Sequence, residues 1–117
     1  MTAGVLVIIS TQFESEVLNI EAVNLSDEKE INPSFENNLE SALAYVKHIE
    51  KREIEHDAQF AVESNEKLEY YKDLQQVDLL TWGEITAKGY YKIESVWGGG
   101  LKDGGAEYRF IPMTADL

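Results

Sequence analysis

The chain has 117 residues, 44% of them hydrophobic and 10% aromatic, with two histidines and no cysteine. That length fits a single domain, and the composition is that of a chain able to bury a core and fold by itself. The missing cysteines exclude disulfides, thiolate metal sites and cysteine nucleophiles, while a formal net charge of −12 opposes binding to nucleic-acid backbones and anionic membranes and favours basic partners. The acids are unevenly spread: residues 1–74 carry 16 acids and 6 bases, and residues 75–117 carry 6 acids and 4 bases.

Near the N-terminus, Gly4–Ser10 is an apolar, β-branched run without helical spacing, the pattern of a strand buried on both faces. Its apolar part, Val5 to Ile9, is too short to span a bilayer and no basic segment precedes it. A soluble, cytoplasmic protein is therefore expected. Glu16–Leu25 alternates, with Leu18, Ile20 and Ala22 on one face and Asn19 and Glu21 on the other. This predicts a half-buried strand with the aliphatic side inward. The short link between the two runs suits a hairpin with Phe13 at its tip.

After a polar loop at residues 26–31, Asn32-Pro33 predicts a helix start, with Asn as cap and Pro at the first helical position. Phe35, Leu39, Ala42, Leu43, Val46 and Ile49 then fall within about a 120° arc, the stripe of a helix packed on a core. Beyond Ile49 the same arc receives Glu50, Glu53 and Asp57. Burying three unpartnered carboxylates is very unfavourable, so the helix must overrun its support, end, or present these acids to a partner. A single rod from Pro33 to Leu74 would measure roughly 63 Å, against a radius of gyration near ~13 Å for a compact chain of this length. A break is expected between Glu53 and Asn65, followed by a second helix from Ser64 or Asn65 to Leu74, with Leu68, Tyr71 and Leu74 inward and Tyr70 outward.

The last third reads as β structure. Gln76–Ile85 and Tyr90–Trp97 predict strands joined by a turn in which Gly89 supplies positive φ. Ala106–Met113 predicts a final strand with Tyr108 and Phe110 opposite Glu107 and Arg109, and Pro112 at its end. The fold class expected is α+β: an antiparallel sheet of about five strands in the order β-β-α-(α)-β-β-β, with one or two helices packed on one face.

No residue pattern carries a catalytic signature. The glycine-rich stretch Gly98–Gly105 would join two strands and lacks the strand-to-helix setting of a phosphate loop. It suits a mobile loop or one that orders on a partner through Gly99 and Lys102. Glu53 and His56 form one Glu-x-x-His motif, whereas carboxylate-bridged metal sites need two such motifs and further glutamates. With Glu50 and Asp57 they make at most a weak divalent-cation cluster, and no cofactor is expected. No serine sits in a nucleophile elbow. Adjacent aromatics such as Tyr70-Tyr71 and Tyr90-Tyr91 cannot both point inward, so Tyr70, Tyr90 and Phe13 are candidate anchors at an interface.

The reading that follows is a non-enzymatic binding protein whose acidic helical surface engages a basic protein partner, as an inhibitor, immunity protein or nucleic-acid mimic would. Glu50, Glu53, Asp57, Phe13, Tyr70, Tyr90, Gly99 and Lys102 are its expected contacts. A self-associating structural subunit of a phage or other assembly is the alternative. A small enzyme or ligand-binding domain with an acidic pocket is the third.

Overall fold

The structure, a computed structural model, describes residues 2–12, 16–59, 64–96 and 105–113. Seven elements follow in chain order: β1 (Gly4–Gln12), β2 (Glu16–Val23), the short 3-10 turn η1 (Leu25–Asp27), α1 (Leu39–Ala58), α2 (Ser64–Val77), β3 (Tyr91–Val96) and β4 (Gly105–Pro112). The fold is α+β, with one antiparallel sheet of four strands in the order β2-β1-β4-β3. Two compact units divide the chain. The first comprises Met1–Ala42 and Trp82–Leu117, and the second Leu43–Thr81.

In the first unit, β1 pairs with β2 as the expected hairpin and β3 pairs with β4, whereas the hairpin expected about Thr86–Gly89 is absent because its first strand does not form. The two hairpins join because β1 also pairs antiparallel with β4, matching Leu6 to Phe110 and Ile8 to Tyr108. This long-range pairing puts Leu6, Val23, Ile93, Ala106, Tyr108 and Phe110 on one side, where all are buried. Leu25, Phe35 and Ala42 are buried as well. The Trp82 ring lies 6.3 Å from that of Phe110 and 6.4 Å from that of Tyr91, both tilted, a favoured aromatic arrangement. Its indole N–H donates to the Leu39 carbonyl at 3.1 Å, giving the polar end of a half-buried Trp the partner it needs.

The fifth expected strand, Gln76–Ile85, does not form. Gln76 and Val77 complete α2 and residues 78–90 run as turns and irregular chain. Its β-like apolar residues have other uses: Val77 is the buried end of a helix, and Trp82 serves the core through its ring and its N–H. The turn itself is as expected. The Gly89 N–H donates to the Thr86 carbonyl, the Thr86 N–H donates to the Tyr90 carbonyl, and Gly89 has φ +92°.

Asn32-Pro33 does not open α1. It forms a turn closed by the Phe35 N–H on the Asn32 carbonyl and the Ser34 N–H on the Asn32 side chain. The helix begins six residues later, where the Asn38 side chain accepts from the Ser41 N–H at 2.8 Å. Asn38 wins because its neighbourhood is fixed from outside the helix: Asn37 accepts from the Gly4 N–H, Ala3 and Asn38 form a β-bridge, and the Leu39 N–H donates to Thr2. A stitch of this kind to the start of β1 cannot be read from local propensity.

In the second unit, α1 runs on to Ala58 and α2 starts at Ser64, so the break falls inside the expected window. Lys47 donates to the Asp78 carbonyl and Lys51 pairs with the Asp78 carboxylate, tying the middle of α1 to the end of α2. The inward face of α2 keeps Leu74 as expected but is otherwise rotated from the expected one. Tyr70 and Leu74 are half-buried and Val77 buried, at i, i+4 and i+7, while Leu68 and Tyr71 are exposed. Both stripes satisfy helical spacing. Val77 decides between them, because the helix continues to it and it is buried on the Tyr70–Leu74 side.

Candidate interaction surface

Antiparallel partners share a face, so the register also defines the outer side of the sheet. Val5 lies opposite Ile111, Val7 stands between Ala22 and Arg109, and Ile9 stands between Ile20 and Glu107. On the β3 side the outer residues are Lys92, opposite Arg109, and Glu94, opposite Glu107. This face is therefore split in two. Its β4/β3 half is charged and internally paired: Arg109 with Glu107, and Lys92 with Glu94 at 2.9 Å. The Lys92 ammonium is held above its usual range, first by its hydrogen bond to Glu94 and then by the charge of that carboxylate. Arg109 also sits over the Tyr90 ring, 4.6 Å from its centre, a cation–π contact. The β2/β1 half is aliphatic.

The aliphatic half corrects the expected orientation of β2. Ile20 and Ala22 lie on the outer side, and seven of the eight residues of the strand are exposed. Val17, Leu18 and Ile20 are 54%, 57% and 64% exposed. The alternation was legible, but alternation cannot say which face meets the core. Val23 settles it: buried opposite Leu6, it sends Ala22 and Ile20 outward. Likewise β1 is not buried on both faces, since Val5 is exposed and Val7 and Ile9 only half-buried.

The candidates named from sequence are distributed differently. On α1, Glu53 and His56 are exposed and Glu50 is buried at 6%, so Glu53 faces outward and Glu50 does not. The side chain of Asp57 lies outside the described residues, as do Phe13, Gly99 and Lys102. Among the described residues, no group of three or more His, Asp or Glu side chains could hold a metal ion. Tyr70 and Tyr90 are half-buried, Tyr90 beneath Arg109. Tyr71, whose helical spacing with Leu68 and Leu74 suggests the core, is the exposed member of its pair. The stretch Trp97–Gly104 does join two strands, β3 and β4. No helix among the described residues is long and apolar enough to cross a membrane.

The surface that emerges is an aliphatic strip at one sheet edge, beside a charged strip whose ions are already paired, on a chain with a large excess of acid. No protein-family model, no curated protein and no solved structure matches this chain.

Proposed function

We propose that this chain is a non-enzymatic binding protein that holds a basic protein partner, in the manner of an inhibitor, an immunity protein or a nucleic-acid mimic. One observation carries the reading. Of the ten lysines and arginines, Lys29, Lys47, Lys51, Lys72, Lys92 and Arg109 donate to the chain's own carbonyls or carboxylates. The carboxylates of Glu30, Glu36, Glu40, Glu53, Glu55 and Asp73 meanwhile stand exposed. A surface six of whose ten cations are taken up by its own carbonyls and carboxylates offers a partner mostly negative charge, which speeds the approach of a basic protein and penalises an acidic one.

The test is a pull-down from source-cell lysate at two salt concentrations. A basic protein retained at low salt and released at high salt is the expected result, because exposed charges more than about 8–10 Å apart are screened at physiological ionic strength. Equal retention at both concentrations overturns the electrostatic reading.

A second reading, a self-associating structural subunit, is favoured by the exposed aliphatic residues of β2. It requires a defined oligomer at micromolar concentration in sedimentation, and a monomer throughout removes it.

A further inference from the structure

β2 is an edge strand: β1 covers one side of it and no described strand covers the other. Its eight residues exceed the usual five or six of a strand, and its outward edge presents a row of backbone donors and acceptors. Natural edges are commonly blunted by lysine, by proline or by brevity. The opposite edge, β3, has six residues and carries Lys92 paired to Glu94. β2, by contrast, reads Glu-Val-Leu-Asn-Ile-Glu-Ala-Val, with neither lysine nor proline. Its side chains are also sorted. Val17, Ile20 and Ala22 share the outer side with Thr11, Ile9 and Val7, while Asn19 and Glu21 share the inner side with Ser10 and Ile8. The register shift at Ser10/Thr11 leaves the exposed Leu18 without a partner on β1 and keeps Val17 on the outer side.

We propose that the free edge of β2 takes up an extended basic segment of a partner protein as a fifth strand, with apolar residues beside Val17 and Ile20 and lysine or arginine beside Glu21 and Glu16. The proposal rests on the basic-partner reading above and assigns it a site and a conformation. Backbone pairing supplies the affinity and alternate side chains the selectivity, the logic of strand addition. Charge decides the occupant. Pairing β2 with β2 of a second copy would bring together two strands that hold glutamates and no cation, each on a strongly acidic chain. A basic strand instead sets opposite charges across the new ladder, where they stabilise.

The probe is a terminally blocked peptide alternating valine and lysine over eight residues, the length of β2. Its control has the same composition with the valines and lysines in separate blocks. Titrated into isotope-labelled full chain, the alternating peptide is expected to move the amide resonances of β2 and to bind about tenfold tighter than the control, a difference of about 1.4 kcal/mol. Ile20→Lys and Glu21→Lys should each weaken it about threefold to fivefold, and Glu53→Lys should leave the preference for alternation intact. Circular dichroism verifies that the variants fold, and resonance mapping on the unaltered chain does not depend on them.

Equal binding of both peptides, lost equally with salt, overturns the edge site and leaves the electrostatic reading standing. Binding of neither overturns both. Resonance changes confined to α1 and α2 overturn the edge site. A dimer in sedimentation that Ile20→Lys dissolves shows that the occupant is a second copy, and overturns the basic strand.

Discussion

Asn37 and Asn38 have consequences beyond their size. The Asn37 side chain accepts from the Leu25 N–H and donates to Asn24 and Ser26, and its carbonyl receives the Gly4 N–H. Asn38 caps α1 while nearly buried. Asn38→Ala should lower stability by about 1–2 kcal/mol, the upper end for a lost cap, read as a shifted denaturant midpoint with unchanged slope. The glycines separate by the same reasoning. A β-carbon on Gly4 would meet the Ile111 carbonyl oxygen and come within 2.7 Å of the Phe110 ring, whereas one on Gly83 would meet nothing. Gly4→Ala should therefore cost about 1–3 kcal/mol through overpacking, and Gly83→Ala should change the midpoint by less than about 0.5 kcal/mol. Equal effects would mean that β4 does not press on Gly4.

At the scale of elements, β2 and β4 are opposites although both alternate. β4 buries Ala106, Tyr108 and Phe110 on one side and holds the Glu107–Arg109 pair on the other. β2 buries Val23 alone. Phe110→Ala should then remove about 3–5 kcal/mol of stability, as large-to-small changes at fully buried aromatics do. Ile20→Thr, which keeps the β-branch that suits a strand, should cost less than about 1 kcal/mol. Thermal or urea unfolding of the two variants checks the orientation of the strand directly. If Ile20→Thr were as damaging as Phe110→Ala, the aliphatic side of β2 would face a core after all. The helices show the same limit on local reading. The break and the existence of both helices were legible, because length forbids one rod and capping residues mark a start. The true start of α1 was not, since Asn32-Pro33 and Asn38 are both competent and only contacts with β1 choose.

For the whole molecule, the uneven charge along the sequence disappears on folding. The first unit draws on both ends of the chain and holds 13 acids and 5 bases, net −8; the second holds 9 acids and 5 bases, net −4. The first is twice as long, so net negative charge per residue is the same in both. Charge alone therefore selects no binding face, and the helical acids have no greater claim than those beside the sheet. Neutralising Glu30 and Glu36 of the first unit, or Glu53 and Glu55 of the second, should lower the association rate with a basic partner by similar factors at low salt, measured by stopped flow. Rates are set by the summed field, and short-range contacts act mainly on dissociation. A loss confined to Glu53 and Glu55 would return the site to the helices.

Local chemistry in the sequence determined the class of fold, four of its strands, two helices with a break between them, the turn at Gly89 and the sign of the surface. Each follows from spacing, propensity or composition, which act over a few residues or none. Tertiary structure decided which side of β2 faces out, which asparagine starts α1, which stripe of α2 turns inward and whether Val77 and Trp82 serve a strand. Those choices lay between arrangements of nearly equal local energy. The balance was tipped by groups far away in the chain: Gly4 on Asn37, Leu6 on Val23, Leu39 on Trp82. The aliphatic edge at Val17, Leu18 and Ile20 follows from the same cause. Its periodicity was visible in the sequence, but only the pairing of β1 with both β2 and β4 showed that it is left uncovered.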